Sequence, residues 1–433
     1  HCTNAPCVTI CPVTALSKRP DGIVDLDRDI CIGCKACMQA CPYDALSLNE
    51  DTGSAEKCHY CAHRVDMGLE PACVVVCPTE AIIAGDFSDP DSRIGQLHKD
   101  PGAVVRRPEK GTGPNVWYLG ADAVSLEPGA AKEPDSYLWS ERRLPPPPYP
   151  DNGDLAEVVP QARTVLDVNH DVQWGFKVAL YLVTKGIAAG VVLLAPFLSL
   201  KSLWPEVIGL IFLGVTTALL VLDLKRPQMF LSILLRPNTR SWLVKGAWAL
   251  MAFGLMVTAT LMMGLVDEGA LAVMRWISVP FAIGAAGYTA ALFAQCEGRD
   301  LWQGGNRLFV HLIVQALFLG AATLLPIFAS WGLAIILVAA AVAHVLLALM
   351  EAYGRHETQN ARLAASLLPQ IDAWPQSPIR AFHPGLGLTL VAAALLVLLQ
   401  GALLGALFWI LAFCGILLYE RAYVRAAQLP PLS

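Results

Sequence analysis

Eleven of the thirteen cysteines lie within the first 77 residues. Their spacing constrains that stretch more than any other feature of the sequence. Cys31, Cys34, Cys37 and Cys41-Pro42 read C-x2-C-x2-C-x3-C-P. Cys2, Cys7 and Cys11-Pro12 form a second run, and Cys58, Cys61, Cys73 and Cys77-Pro78 a third. A cysteine, a proline and a turn into a short apolar segment recur at Cys11 to Leu16, Cys41 to Leu46 and Cys77 to Ile82. Two-residue gaps place three sulfurs on one loop, and the C-x2-C-x2-C-x3-C-P run is the ligand pattern of a [4Fe–4S] ferredoxin. Structural zinc favours paired C-x2-C knuckles, and disulfides leave the prolines unexplained. The N-terminal stretch is therefore expected to carry electrons on iron–sulfur clusters.

In two-cluster ferredoxins the cysteine before the proline ligates the other cluster. By that rule Cys31, Cys34 and Cys37 take Cys11 as their fourth ligand. Cys2, Cys7 and Cys41 then serve a second cluster and lack one thiolate. Cys58, Cys61, Cys73 and Cys77 have no partner run. The domain is therefore expected to be N-terminally incomplete, with a fourth run upstream of His1 and four clusters when intact.

Composition divides the sequence in two. Hydrophobic residues make up 55% and charged residues 15%, with a mean hydropathy of +0.50. That is too apolar for a soluble protein of this length. Residues 1–120 are charged and turn-rich. Residues 121–170 read as an extended linker, with Pro145 to Pro148 in a row. Residues 171–425 form the apolar half, and 426–433 a tail. Eight apolar segments of about 20 residues lie near 176–199, 203–223, 241–264, 271–295, 308–328, 331–353, 384–403 and 404–424. The expected fold class is an α+β ferredoxin-like iron–sulfur domain followed by an all-α, polytopic membrane bundle of eight helices. A net charge of −5 gives no sign of a nucleic-acid partner.

An even number of crossings returns both ends of the bundle to the side of the cluster domain. Lys225, Arg226, Arg236, Arg240, Lys245, Arg299, Arg307, Arg355, Arg362, Arg380, Arg421 and Arg425 fall on that side. Lys201 and Arg275 fall in loops on the other. The positive-inside rule then favours the cytoplasmic side of the inner membrane for the cluster domain, with the periplasmic side kept as the alternative because some of these arginines could serve function or docking. Thiolate ligands also suit a reducing compartment.

Residues 1–120 resemble the four-cluster ferredoxin subunit of the complex iron–sulfur molybdoenzymes, of the dimethyl sulfoxide and polysulfide reductase type. The resemblance rests on His1-Cys2 with Ala5-Pro6-Cys7, on Cys31-Ile-Gly-Cys34 and on Cys58-His-Tyr-Cys61. Residues 170–424 resemble the NrfD/polysulfide-reductase membrane subunit. That second resemblance rests on Trp174 with Tyr181 to Gly190, on Asp223-Leu-Lys-Arg-Pro227 and on Tyr288-Thr289 with Gln295 to Trp302. The two subunits are usually separate chains, and here they are fused. The resemblance implies an electron-transfer and membrane-anchor subunit of a quinone-linked oxidoreductase, working with a molybdenum- or tungsten-pterin catalytic partner that this chain lacks. Substrate catalysis would lie on that partner, and the redox reaction of menaquinone or ubiquinone on this chain.

A quinone needs hydrogen-bonding groups at its two carbonyls and a proton route, so polar residues at the cluster-side ends of helices are the candidates. These are His170, Asp171, Trp174, Lys185, Asp223, Arg226 and Tyr288. By the resemblance, His170 and Tyr288 line the quinone pocket, with Asp223 as a structural or proton-relay carboxylate. Competing roles are an interfacial Asp223–Arg226 ion pair, an interfacial anchor at Tyr288 and a snorkelling Lys185. His311 and His344 read as hydrogen-bonded packing residues, and Cys296 and Cys414 as small apolar ones. The alternative reading is a module of a redox-driven, proton-translocating respiratory complex, with Lys185, His311, His344 and Glu351 as stations.

Overall fold

The computed structural model describes residues 1–127, 172–198, 202–375, 377–399 and 402–432. His170, Asp171, Lys201 and the Pro145 to Pro148 run lie outside the described residues.

The cysteine half is built from two copies of one small unit, a turn of helix followed by a hairpin. Helix α1 (Pro6–Ile10) precedes strands β1 (Leu16–Lys18) and β2 (Val24–Leu26); α2 (Ala36–Ala40) precedes β3 (Leu46–Leu48) and β4 (Ala55–Lys57). Both hairpins are antiparallel, with Leu16 opposite Leu26 and Leu48 opposite Ala55. Each helix stops where its cysteine turns extended, Cys11 at ψ 117 and Cys41 at ψ 117. The proline that follows each cysteine favours that extended geometry. Ile10, Val13, Leu16, Val24, Ile32 and Leu46 are buried between the units, each contributing about 1.5–3 kcal/mol.

The apolar half is a helix bundle: α3 (Phe176–Leu194), α4 (Trp204–Asp223), α5 (Trp242–Gly264), α6 (Glu268–Ala294), α7 (Asn306–Phe328), α8 (Trp331–Tyr353), α9 (Phe382–Leu398) and α10 (Ala402–Ala426). Among the described residues seven helices are long and apolar enough to cross a membrane. The segment expected as the seventh span forms the shorter α9. This half is a multi-pass membrane domain.

Helix α3 is the axis of the bundle. Nearly all of it is buried inside the protein, while α4 and α5 leave most of their surface outward, to lipid. Gly190 and Gly320 let α3 and α7 touch backbone to backbone. A Cβ on Gly190 would lie 1.8 Å from the carbonyl oxygen of Ala316. Such contacts replace the hydrophobic drive that lipid removes.

The first residues of α3 and the last of α4, α6, α8 and α10 share one end of the bundle, and the cysteine half sits on it. Arg275, expected in a loop at the far end, is instead buried within α6. It holds Glu206 of α4 through two bonds, 2.7 and 3.1 Å, and donates to the carbonyl of Ser202. A guanidinium inside a span is tolerated when it is paired in this way.

Candidate functional site

Cys11, Cys31, Cys34 and Cys37 line a single cavity with Val13, Leu16, Ile32 and Ala55. The sulfurs surround a space instead of meeting at a point. Among the described residues no three His, Cys, Asp or Glu side chains have the spacing for one metal ion. A cavity lined by four cysteines offers the room that a cubane needs. Backbone N–H groups point at sulfurs as well, Ala55 to Cys31 at 3.5 Å and Ala45 to Cys41 at 3.5 Å.

Burial pushes the Cys34 thiol up to about 12, with Cys11 and Cys31 beside it adding to the effect. Burial raises Cys37 further, with Cys34, Cys11, Cys7 and Cys31 as its charged neighbours. Cys7 is pushed up to about 12 by burial and then by Cys41, with Cys2 also nearby. The thiols thus fall into two neighbourhoods, Cys11 with Cys31, Cys34 and Cys37, and Cys2 with Cys7 and Cys41. Bound iron is what makes such buried thiols favourable as thiolates.

The third run behaves differently. Cys58 and Cys73 are exposed, and Cys61 and Cys77 half-buried. Met67, Leu69, Val75, Val76 and Ile82 stand exposed around them. The backbone N–H groups of Ile82 and Ala81, with Thr79, hold the Cys77 thiol below its usual range.

The loops that bear Cys11, Cys31 and Cys34 are the loops that meet the bundle. Arg226, just beyond α4, donates to the carbonyls of Arg28 at 2.8 Å and Cys31 at 3.0 Å. Asn238 donates to the carbonyl of Cys11 at 2.8 Å, and Ser241, which caps α5, donates to that of Ile10 at 2.7 Å. Asp223 pairs with Lys35 at 3.0 Å. The expected Asp223–Arg226 pair is therefore not the one that forms, because the cysteine loop lies against both residues and supplies a partner to each. Gly33, at φ +66, and Gly298 admit this close approach. A Cβ on Gly33 would lie 2.7 Å from Cβ of Lys225, and one on Gly298 2.5 Å from the carbonyl of Cys41.

Trp174 is the deepest link. Its indole N–H donates to the carbonyl of Cys34 at 3.1 Å. Its ring stacks with Phe293 and Trp302, centroids 6.0 and 5.6 Å away. Gln428 clamps its backbone, accepting from its N–H at 3.1 Å and donating to its carbonyl at 2.7 Å. Gln39 and Arg299 complete the knot: Gln39 donates to Gln428 at 2.9 Å, and Arg299 donates to Gln39 at 2.8 Å.

Lys185 lies eleven residues further along the sequence, about 16 Å by helix rise. It is buried and does not reach the surface. Its ammonium donates to the hydroxyl of Thr289 and sits 4.7 Å from the centre of the Tyr288 ring and 5.8 Å from that of Tyr181. An ammonium has three donors, so capacity remains for a ligand carbonyl. Tyr288 is buried, not interfacial, and its ring lies on Gly246, where a Cβ would come within 2.2 Å. The structure thus gathers Lys185 and Tyr288. It places Trp174, Asp223 and Arg226 at the interface above them, and His170 and Asp171 lie outside the described residues.

Sequence reasoning passed over Thr289, Tyr181 and Glu420. Thr289 stood in the Tyr288-Thr289 motif and Tyr181 in the Tyr181 to Gly190 motif, but neither was weighed as a ligand. Glu420 is an acid inside an apolar run, a signal that was available.

Residues 1–87 match the 4Fe-4S dicluster domain family, and residues 164–419 match the family described as polysulphide reductase, NrfD. A subunit of the tetrathionate reductase of Salmonella typhimurium is 48% identical over 143 residues, covering 33% of this chain and 57% of that protein. One of the chains of the polysulfide reductase of Wolinella succinogenes is 41% identical over 120 residues, 28% of this chain and 63% of that one. The iron-sulfur subunit ArrB of the arsenate respiratory reductase of a Shewanella species is 35% identical over 167 residues, 28% of this chain and 71% of that one. The present sequence thus spans less than two thirds of the first two.

Proposed function

We infer the function from one premise: this protein belongs to the NrfD polysulphide reductase family and carries a 4Fe-4S dicluster domain ahead of the NrfD portion. On this reading it is the electron-transfer and membrane-anchor subunit of a quinone-linked oxidoreductase complex. Cys11, Cys31, Cys34 and Cys37 hold the cluster nearest the membrane. Cys2, Cys7 and Cys41 supply ligands to a second, and Cys58, Cys61, Cys73 and Cys77 hold a third. The exposed apolar surface around that third run faces the catalytic partner, a molybdenum- or tungsten-pterin subunit. The relatives named as subunits of tetrathionate, polysulfide and arsenate reductases support a catalytic partner subunit.

The observation that carries the reading is Trp174. It ties the carbonyl of Cys34 to the helix that bears Lys185, so the cluster cavity and the buried polar pocket share one rigid element. Quinone, menaquinone or ubiquinone, supplies two-electron, two-proton chemistry when bound. Lys185 and Tyr288 would donate to its carbonyls, His170 is the further ligand that the family resemblance implies, and Gly246 gives the ring of Tyr288 its seat. Helix α9, at 17 residues, spans about 26 Å of a core about 30 Å thick, so we count it as an eighth crossing. Arg226 and Arg299 are used in docking and carry no topological information. The remaining loop charges keep the cluster half in the cytoplasm, which cysteine labelling in intact cells against inverted vesicles would check.

The test is quinol oxidation by the purified complex, with the clusters followed by electron paramagnetic resonance. Wild type is expected to pass electrons from quinol to the clusters. Tyr288→Phe, Lys185→Met and His170→Ala are expected to lose this with clusters intact. Quinol that never reduces wild-type clusters would overturn the reading.

A further inference from the structure

Helices α7, α8 and α10 enclose a group of titratable side chains that the quinone reading leaves unused. Nδ1 of His311 lies 2.9 Å from Oε1 of Glu351, and Nε2 of His311 lies 2.8 Å from Nδ1 of His344. The hydroxyl of Tyr419 donates to the other oxygen of Glu351. All four residues are at most 4% exposed. Glu351 stands two residues from the cluster-side end of α8, His311 five from that of α7, Tyr419 seven from that of α10 and His344 nine from that of α8. The group therefore runs from the cluster-side surface to about 14 Å down.

Packing alone does not account for it. Ionisable groups in a membrane interior are costly and mark proton or ion routes. A purely structural network would satisfy its members, but Nε2 of His344, wholly buried, has no hydrogen-bond partner among the described residues. The group also has titratable neighbours at both ends. Glu420, the next residue on α10, is buried, hydrogen-bonded to Gln315 and within electrostatic range of His311, Glu351 and Lys185. At the other end His356, half-buried on the cluster side, hydrogen-bonds the carbonyl of Glu351 at 2.9 Å. The surrounding titratable and charged groups are Lys185 and Tyr181 on α3, Arg307 on α7, and Tyr423, which stacks on Tyr419.

We propose that Glu420, His311, Glu351, Tyr419 and His344 form a proton relay between the Lys185–Tyr288 pocket and the cluster-side surface at His356, so that quinone exchanges protons with the compartment that holds the clusters. The proposal rests on the quinone reading of that pocket. Oxidation of one quinol breaks two O–H bonds. Two electrons go singly to [4Fe–4S] clusters, and two protons pass one after the other to Glu420, then to the His311–Glu351 pair, then outward. An imidazole suits this step because it accepts at one nitrogen and donates from the other. Quinone reduction runs the same route inward.

The far half of the bundle offers no continuation among the described residues. Its buried Arg275–Glu206 pair is bonded within itself and to the carbonyl of Ser202. Val191, Val192, Leu194, Leu213 and Val257 are buried between it and Lys185. Protons are thus released and taken up on one face.

The test uses the full complex in sealed vesicles of known orientation with a trapped pH dye. Wild type is expected to release protons during quinol oxidation on the cluster-bearing face. Glu351→Gln and Glu420→Gln are expected to slow quinol turnover on the order of 10²-fold, with a raised solvent isotope effect and partial rescue by azide or imidazole. Cluster resonance and binding of a quinone-site inhibitor should stay at wild-type level. The redox-induced infrared difference spectrum should lose a carboxyl band in each. If Glu351→Gln does not assemble, His344→Gln is expected to show the same isotope effect and rescue. Release on the opposite face, or unchanged turnover, isotope effect and spectra in the variants, would overturn the relay alone. A wild type that oxidises no quinol would overturn the quinone reading, and the relay with it.

Discussion

The indole N–H of Trp174 donates to the backbone carbonyl of Cys34 at 3.1 Å. One end of this side chain thus touches a cysteine of the cluster cavity, and its ring lies in an aromatic stack with Phe293 and Trp302. Trp174→Phe keeps the stack and removes the donor. We expect normal assembly, a shifted midpoint potential for the membrane-proximal cluster and slower reduction by quinol. Trp174→Ala also empties the stack and should cost the complex about 3 kcal/mol, read as a lower midpoint in thermal unfolding. Redox titration separates the two effects.

Lys35 and Asp223 make an ion pair, 3.0 Å apart, between the cysteine loop and the end of α4. Lys35 is 7% exposed and Asp223 19%, so loss of one partner leaves a largely buried charge. Asp223→Asn and Lys35→Met should each weaken docking of the two halves. The double variant should lose less than the sum, with a coupling energy on the order of 1–3 kcal/mol. Thermal unfolding of the four proteins supplies the cycle. Additive losses would mean that the pair contributes no interaction of its own.

Removing iron should loosen the interface as well as stop electron transfer. The backbone N–H of Asn238 donates to the carbonyl of Pro12 at 3.0 Å, and that of Gly298 to the carbonyl of Gln39 at 3.2 Å. Both acceptors sit beside cysteines of the cluster loops. After anaerobic chelation, or in Cys37→Ser, amide hydrogen exchange should rise at Asn238 and Gly298 and stay low along α3. Unchanged exchange at those two amides would show that the loops hold their shape without the cluster.

Gly190 on α3 meets Ala316 on α7 with no room for a side chain, whereas a Cβ added at Gly214 on α4 would meet nothing within 4 Å. Gly190→Ala should therefore destabilise the bundle by about 1–3 kcal/mol. Gly214→Ala should be neutral or slightly stabilising, since alanine favours helix more than glycine does. Comparing the two thermal midpoints tests whether close α3–α7 contact holds the bundle.

The cysteine runs were legible because cluster ligation is written in local spacing, and the spans because apolar length is too. Partners were not. Asp223 was expected beside Arg226, three residues away, and instead meets Lys35, 188 residues away in sequence. Arg275 looked like a far-side loop cation although it falls inside the 271–295 apolar segment, because a charge near the end of a span reads as a loop residue. It is in fact the buried partner of Glu206. Lys185 looked able to reach the surface, but α3 is enclosed by other helices, and burial of that kind is a property of the bundle and not of a hydropathy window. The helix-end polar residues split for the same reason: Asp223 and Arg226 serve the docking face, while Lys185 and Tyr288 meet inside.

The surface by which the iron–sulfur half grips the bundle is made of the carbonyls of Ile10, Cys11, Cys31 and Cys34. Those carbonyls belong to the same short loops that carry the cavity-lining sulfurs. The loops that carry the sulfurs and the loops that close on the bundle are one and the same, so a change of shape at the cavity is also a change of shape at the seam.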